Sequence, residues 1–423
     1  MYDLLIIGGG AAGLMAAARS AECGHRTLLL EKNKQAGVKI LMSGGTRCNI
    51  THATDQAGIA AAFAKFDKKQ AQFLRSALAA LPPERVIEII EAEGVATRIE
   101  DTGKIFPVSN KAIDVRDALF KLATDRGASF RMNFAVDDIQ QDSDGFAVKC
   151  GEQAVRGRRL LITTGGQSYP GCGTTGDGYA WARQFGHRIV NPVPALTPLT
   201  TNVDWIRDLK GITVTDAAIS IVRNDPNRIA GDYGTKQFLD TRRSSLLLTH
   251  FGFSGPSALD ISRVITRDTE GRDLSLVCDF LPDKGFEPFM AELTSTLQKS
   301  GSRQLGKILP QFAPRRLAEA AIVQAGIELN HRAAELSKKQ IRKLAIQLKA
   351  CLVPLSGTLG FRKAEVTAGG VHLSEVDSKT MQSKLVDGLF FAGEVLDIDG
   401  PIGGFNFQAA FSTGWLAGQS GQL

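Results

Sequence analysis

The chain opens on a short apolar run, Leu4–Ile7, that gives way at once to Gly8-Gly9-Gly10-Ala11-Ala12-Gly13. Apolar runs of about four to eight residues bounded by glycine read as buried strands. The Ala-rich stretch over 14–22 reads as a helix that stops at Gly24. Thr27–Leu30 is a second apolar run and ends on Glu31. Amphipathic periodicity predicts helices over 60–81 and 84–93, and Asp114 caps a third that runs to Arg126. Residues 129–150 alternate like strands, Leu160–Thr163 is another buried strand, and Asp177 caps a helix through about Phe185. From Asn191 the pattern changes. Pro192, Pro194 and Pro198 mark a linker; 212–223, 238–249 and 274–280 are strand-like; 286–349 is helix-like, with stops near Gly301 and Pro310. Residues 352–361 lead back to the first domain, Leu389–Phe391 is a late apolar strand, and a last helix runs to about Gly418.

Composition narrows the class. At 423 residues the chain is long enough for two or three domains. Its 44 glycines cluster beside apolar runs, where close backbone approach to a ligand is needed. A net charge of +6 is a mild excess. Lys and Arg are scattered apart from short runs such as Arg156–Arg159 and Lys338–Lys343, which read as solvated surface, so no nucleic-acid partner is expected. The six cysteines form no C-x-x-C pair and no metal-ligand spacing, which predicts no metal site and fits a reducing compartment. There is no room for a signal peptide before the first strand and no apolar stretch of roughly 20 residues, so the expectation is a cytoplasmic protein with no membrane contact and an open oligomeric state.

The first 31 residues carry chemistry. Gly8 permits a tight turn, Gly10 admits a pyrophosphate against the backbone, and Gly13 lets helix and strand pack. The helix N-terminus at Ala11 and Ala12 offers free N–H groups and a partial positive charge to the phosphates. Glu31 lies eighteen residues after Gly13 and can accept from ribose hydroxyls; an acid there disfavours a 2′-phosphate, leaving FAD or NAD. Later segments favour non-covalent FAD. The strand Leu389–Phe391 runs into Gly393 and Glu394 and resembles the late strand of glutathione-reductase-like FAD proteins, whose acid meets the ribityl or pyrophosphate group; Asp397 and Asp399 lie close by. Gly403-Gly404-Phe405-Asn406 then opens the last helix, whose N-terminus would stabilise charge on a reduced flavin. Thr164 and Gly165 resemble the small-residue strand end that abuts the cofactor in glutathione-reductase-like FAD proteins, and Val136 falls where such folds contact adenine through backbone. Gly171–Gly176 formally repeats G-x-G-x-x-G. Pro170 breaks its link to the strand and no acid-ending strand follows, so no second dinucleotide domain is expected and NAD(P)H would act as a transient reductant.

Ser43, Gly44 and Gly45 can lie against the isoalloxazine or ribityl chain, Arg47 offers a fork of donors to phosphate or an anionic substrate, and Asn49 can read flavin polar edges. Lys32 and Lys39 complete the expected cofactor set. Cys48 reads as a small buried hydrophobe. Arg47, His250 and Thr367 are the catalytic candidates; His52 is ambiguous, and the other histidines read as structural or exposed.

The segment Gly37–Thr51, with Ser43-Gly44-Gly45-Thr46-Arg47-Cys48-Asn49 at its centre, resembles the hallmark of the BaiN/RdsA-type flavoproteins, also labelled the aminoacetone oxidase family of FAD-binding enzymes. Thr249–Pro256, Glu365–Val371, and Gly393–Asp397 running into Gly403–Asn406 resemble it too, and the four segments span nearly the whole chain in the expected order. Thr46 stands where glycine is usual, and Phe405 and Phe407 where Tyr and Leu are common. The resemblance implies an α/β fold: a Rossmann-type, glutathione-reductase-like FAD-binding domain with an inserted β-barrel and a helical subdomain. The boundaries expected are 1–190 and 351–423 for the two parts of the FAD domain, 191–285 for the barrel and 286–350 for the helices. The leading function is an FAD-dependent oxidoreductase that moves hydride through flavin N5 to or from an unidentified small molecule, fed by NAD(P)H or yielding electrons to oxygen. The alternatives are an RNA-modifying flavoprotein and a non-enzymatic flavin sensor.

Overall fold

The computed structural model describes residues 1–224, 237–268 and 273–420. Their contacts divide into two compact units, Met1–Pro194 with Ala364–Leu423, and Ala195–Lys363. The return to the first unit thus comes at Ala364 rather than near 351, because Cys351–Pro354 is an edge strand hydrogen-bonded to Leu274–Asp279 of the second. The barrel and helical segments expected as separate pieces fall within that one unit.

The first unit is built on parallel strands. β1 (Tyr2–Ile7) pairs with β2 (Thr27–Leu30) on one side and with Gln153–Ile162 on the other. Ser129–Arg131 continues the sheet beside β2, and Leu389–Phe391 pairs parallel with residues 160–162. Leu5, Ile6, Leu29, Leu161 and Phe391 are fully buried. Strands covered on both faces are apolar throughout rather than alternating, which is why the sequence shows them as unbroken runs. An antiparallel hairpin, Asp138–Asp142 and Gly145–Cys150, extends the sheet from the first half of Gln153–Ile162. Ile189–Ala195 pairs with Val366–Val371, so Pro192 and Pro194 lie in a strand of a two-stranded ribbon and not in a free linker.

α1 (Ala11–Glu22) packs against the C-terminal helix Phe405–Gln419. A Cβ on Gly414 would lie 2.3 Å from the Ala12 carbonyl oxygen, and one on Gly418 would lie 2.6 Å from that of Ala16. A helix-interior glycine costs about 1 kcal/mol relative to alanine; here it permits a contact that any side chain would prevent. Elsewhere the helices differ from the periodicity in small ways. The stretch 60–81 is two helices, Gln56–Ala64 and Lys68–Ala80, because the Asp67 side chain caps the second by accepting from Lys69 N at 2.7 Å. Asp114 sits in the first turn of Ala112–Asp125, which Lys111 opens. Asp177 likewise sits in the first turn of Asp177–Gln184, whose N-cap is Gly176 at φ 81°.

The second unit has a seven-stranded antiparallel sheet ordered Cys351–Pro354, Leu274–Asp279, Thr213–Arg223, Asp240–Thr249, Gly252–Ser254, Leu199–Thr200, Gly357–Thr358. Only Leu355 and Ser356 separate its two end strands. Leu355 N donates to Leu274 O at one end and Ser356 N to Thr200 O at the other, so the sheet curls back on itself as a barrel does. Ile219, Ile221, Leu246, Leu248 and Phe253 fill it. A separate apolar core joins the helices Phe286–Ser300, Arg315–Gln324 and Lys338–Lys349 through Phe289, Leu293, Ile322, Leu344 and Leu348. No helix among the described residues is long and apolar enough to cross a membrane.

The Gly414 contact yields a stability test. Gly414→Ala is expected to lose about 1–3 kcal/mol in urea unfolding, the usual cost of overpacking. Gly171→Ala, where a Cβ meets nothing within 4 Å, should stay within about 0.5 kcal/mol of the parent. Equal midpoints for the two variants would mean that the helices are free to part.

Candidate functional site

The turn after β1 closes by contact between backbones. Gly8 has φ 106°. A Cβ there would lie 2.7 Å from Thr163 O, and one on Gly13 would lie 2.0 Å from Gly8 O. Gly10, the N-cap of α1, is the opposite case: at φ −76° a Cβ would meet no protein atom within 4 Å. The turn is therefore sealed on the sheet side and open on the side where the first-turn N–H groups of the helix point without intrahelical partners. Glu31 is 7% exposed; its Oε2 accepts from Gly9 N at 2.7 Å and its Oε1 from Asn33 N at 2.8 Å. A carboxylate has about four acceptor positions, so each oxygen keeps capacity for a ribose hydroxyl. Phe134 N donates to Glu31 O at 2.9 Å, which ties the segment leading to half-buried Val136 to the same corner. Lys32 is engaged elsewhere: its ammonium donates to Asp177 at 2.6 Å and to Thr175 at 2.7 Å.

A second set of bonds laces together segments from both ends of the chain. Lys39 Nζ donates to Glu394 Oε2 at 2.6 Å. Glu394 Oε1 accepts from Thr367 N at 3.0 Å. Thr367 Oγ1 accepts from Gln167 N at 2.8 Å and Ser168 N at 3.1 Å, and pairs with Ser168 Oγ at 2.9 Å. Gly369 N donates to Asp397 at 3.1 Å, and Gly393 N to Thr413 Oγ1 at 3.0 Å. Thr367 is fully buried, so its hydroxyl fixes the path of Gln167–Ser168 rather than meeting a substrate. That corrects its standing as a catalytic candidate. Thr164 Oγ1, just past the strand end beside Gly165, is buried without a partner.

The third element is the loop Ser43–Asn49. Gly44, Gly45, Thr46 and Cys48 all have positive φ, from 54° to 68°. Two of the four carry side chains, and such strain persists only where the surroundings impose it, commonly at ligand sites. Cys48 N donates to Ser43 O at 3.1 Å and Ala112 N to Thr46 O at 2.9 Å, which holds the loop. A Cβ on Gly45 would meet nothing within 4 Å. The Arg47 guanidinium donates to Glu100 at 2.7 Å and lies 4.0 Å over the Phe106 ring. Asn49 does not offer its amide to a ligand. Oriented to satisfy its neighbours, it donates to Thr51 O and Ile105 O and accepts from Gly404 N at 2.9 Å. Asn406 also turns inward, accepting from Gly400 N at 2.8 Å and donating to Gly400 O at 3.0 Å. The two asparagines fasten the turn Gly400–Gly404, which heads the last helix. Phe405 stacks on His52 at 4.7 Å, and His52 Nδ1 lies 3.1 Å from Gly403 O.

These residues suit FAD on three counts. The open faces of Gly10 and Gly45 mark where a ligand can touch backbone, Thr164 Oγ1 is a buried hydroxyl awaiting a partner, and Glu31 is a buried carboxylate at the ribose end. Protonation adds a fourth feature that periodicity did not reveal. Burial pushes the Glu365 carboxyl above the ordinary range, while the Lys39 and Lys104 charges pull it partly back. Burial also raises the Tyr169 phenol, and the Glu365 charge adds to that. Tyr169 itself has φ 53°. The only sequence signal for Glu365 is an acid opening the apolar strand Val366–Val371. Cys48 is pushed by burial up to about 12, which suits an inert thiol. His250 belongs to the second unit, where its carbonyl accepts from Arg207 Nε at 3.0 Å and its ring meets Phe251 edge-on at 5.0 Å.

Comparison with known proteins extends the picture. The family model described as HI0933-like protein Rossmann domain matches residues 2–420. The ribosomal RNA dihydrouridine synthase of Escherichia coli is 32% identical over 418 residues, 99% of this chain and 97% of the relative. The 3-dehydro-bile acid delta(4,6)-reductase of Clostridium scindens is 29% identical over 423 residues, 99% of each chain. Among solved structures, 3-ketosteroid-delta4-(5alpha)-dehydrogenase from Rhodococcus jostii RHA1 aligns over 99% of this chain and 96% of its own, with a TM-score of 0.51 and 16% identity, a likeness of fold.

Two measurements test the site. Gly10→Ala places a methyl where only a ligand can be, so the apo protein should keep its stability within about 1 kcal/mol. Its FAD affinity, titrated by flavin fluorescence, should fall about tenfold or more, as a contact penalty above ~1.4 kcal/mol requires; unchanged affinity would put the cofactor elsewhere. Glu365 gives a pH signature. A carboxyl raised in the folded state binds more protons there than in the unfolded chain, so stability falls as pH climbs from the unfolded value of 4.5 through the folded one. Glu365→Gln should melt higher than the parent at pH 8, and the difference should vanish below about pH 4.5. A constant difference across that range would refute the raised carboxyl.

Proposed function

The chain belongs to the HI0933-like Rossmann-domain family, and on that premise we propose that it reduces a carbon–carbon double bond conjugated with a carbonyl, in a uracil base of ribosomal RNA, with electrons from NAD(P)H. It is an FAD-dependent oxidoreductase. One observation carries the finer reading: over almost their whole lengths, relatives named for different substrates share one kind of bond. Dihydrouridine differs from uridine by two hydrogens across C5–C6, a bond conjugated with the C4 carbonyl. A delta(4,6) reduction of a 3-dehydro steroid acid saturates a bond conjugated with the 3-oxo group. Each saturation needs a hydride at the electron-poor end of the conjugated system, which in uracil is C6, β to the C4 carbonyl, and a proton at the neighbouring carbon, so each bond saturated consumes one NAD(P)H and one proton and releases NAD(P)⁺.

Bound FAD supplies the two-electron relay. The chain supplies position and the proton. Lys39, Glu394 and Thr367 hold the cofactor-side loops in register. Glu365, which keeps its proton to higher pH than an ordinary carboxyl, is the group we assign to the α carbon, with Tyr169 beside it. Arg47 has about five N–H donors and gives one to Glu100, leaving others for a phosphate or carbonyl oxygen. RNA is preferred over a steroid for two reasons: the higher identity of the RNA-acting relative, and a charge of +6 with a pI near 9.0, which suits a polyanion. The expectation of no nucleic-acid partner is set aside on these grounds.

The test is anaerobic. NADH or NADPH should bleach the flavin band of the purified protein, and added rRNA lacking the modification should restore it while dihydrouridine appears in nucleoside mass spectra. Restoration by a small conjugated enone but not by rRNA would replace the substrate; no bleaching by either nicotinamide would remove the reductant. Glu365→Gln should bleach normally and return electrons to rRNA at least about a hundredfold more slowly, the smallest loss expected for a missing general acid. An unchanged rate would remove Glu365 from the proton role.

A further inference from the structure

Outside one segment the charges of this protein balance. The chain carries 50 Lys and Arg against 44 Asp and Glu; residues 286–349 hold eleven of the former and five of the latter, which leaves 39 of each for the rest. The whole net charge of +6 therefore resides in the helical part of the second unit. The two basic runs differ in the same way. In Arg156–Arg159, Arg156 pairs with Asp142 and Arg158 lies 3.9 Å from Asp3. In Lys338–Lys343, Lys338, Lys339 and Lys343 are exposed, and no ion pair engages them among the described residues.

The fold gathers further cations to the same place. Ala333 N donates to Arg303 O and Ala334 N to Gly301 O, each at 3.0 Å, and Gln304 forms an antiparallel bridge with Arg332. The turn that follows Phe286–Ser300 thus runs alongside the segment leading into Lys338–Lys349. Exposed Lys299, Arg303 and Arg332 come to the end of the helical core where Lys338 and Lys339 begin their helix. These cations do not serve the fold. Lys338 and Lys339 occupy a first turn that contains no acid, where the positive end of the helix dipole opposes them. The apolar face of that helix, Ile341, Leu344 and Leu348, is buried in the helical core, so it has nothing to insert into a lipid surface.

We infer that this end of the helical segment is a docking face for the phosphate backbone of RNA. It rests on the reading that the substrate base lies in ribosomal RNA. Exposed cations on several elements, of which Arg332 lies 3.9 Å from Glu335 while Lys338, Lys339 and Lys343 have no acidic partner among the described residues and the first two oppose the local helix dipole, match a partner of repeating negative charge. The face holds the strand by its phosphates and reads no base.

The experiment uses the full-length holoprotein and a fluorescein-labelled rRNA stem-loop transcript, with anisotropy followed across KCl concentrations. For Lys338→Gln/Lys339→Gln/Lys343→Gln, affinity at moderate salt should fall about tenfold or more, and the slope of log K against log salt should become shallower by about two, since each phosphate contact contributes roughly 0.7–0.9. Removing cations from a helix N-terminus does not weaken the helix, and FAD content and NAD(P)H-driven dye reduction should match the parent. Arg156→Gln/Arg158→Gln is the control and should leave the slope unchanged. A triple variant with parental affinity and slope would overturn the inference, as would a parent that binds phosphatidylserine vesicles and not RNA. The reductase reading fails separately: a parent that binds RNA with a steep, Lys338-dependent slope yet reduces no uridine keeps the docking face and loses the proposed substrate. Parent and triple variant reducing rRNA equally well would do the reverse.

Discussion

Closeness of backbones around α1 is the constraint on which the cofactor end of the first unit depends. Helix N–H groups attract a pyrophosphate only if the phosphate reaches them directly. The Gly13 Cα position lies against Gly8 O, Ala12 lies against Gly393, and Gly414 and Gly418 lie against the carbonyls of Ala12 and Ala16. Each contact removes a side chain that would lift the helix off the sheet. Glycine costs helix stability, but between two packed helices that loss is offset by burial of Leu14, Met15 and Phe411 in one continuous core. The open face of Gly10 is the one place at this turn where the missing side chain leaves room for a ligand and not for protein.

The Lys39–Glu394 pair extends this logic across the chain. Its side chains are 24% and 19% exposed, enough burial for desolvation to offset much of the Coulomb gain. Its value is register rather than stability. It joins the short helix Val38–Met42 to the turn after Leu389–Phe391, and through Thr367 to the loop Gln167–Ser168. Three segments far apart in sequence are set by one acid with both oxygens in use. A cofactor laid over them meets a surface whose shape is fixed before it arrives, and such preorganisation serves a site where charge must shift during reaction.

What was legible in the sequence follows from which forces are local. Buried parallel strands and the glycine turn declare themselves in a few consecutive residues, so β1, α1, β2 and Leu389–Phe391 stood out. Side chains that serve other loops do not. Asn49 and Asn406 carry the same amide that a flavin edge would attract, and only the fold shows it bonded to Gly404 and Gly400. Thr367 looked reactive for the same reason and is a buried fastener. The break at Asp67 was hidden because helical periodicity resumes in phase on either side, and the cap that causes it is one short polar side chain. Glu365 has no role that its neighbours in sequence reveal, because burial raises its carboxyl and the opposing charges of Lys39 and Lys104 come from more than two hundred residues away.

Charge shows the reverse relation. Ordinary sequence reading asks where cations run consecutively, and by that rule Arg156–Arg159 and Lys338–Lys343 are alike. The physical question is whether anions answer them. An exposed pair such as Arg156 with Asp142 changes the outside field little, because its two charges nearly cancel at a distance. Unanswered charges on neighbouring elements add. Segment-wise balance, 39 against 39 outside the helical part and eleven against five within it, is therefore the better sequence statistic. It needs no structure to compute, and the structure then explains why it matters: Arg303 and Arg332 are brought beside the Lys338 helix by backbone hydrogen bonds that no run of residues displays.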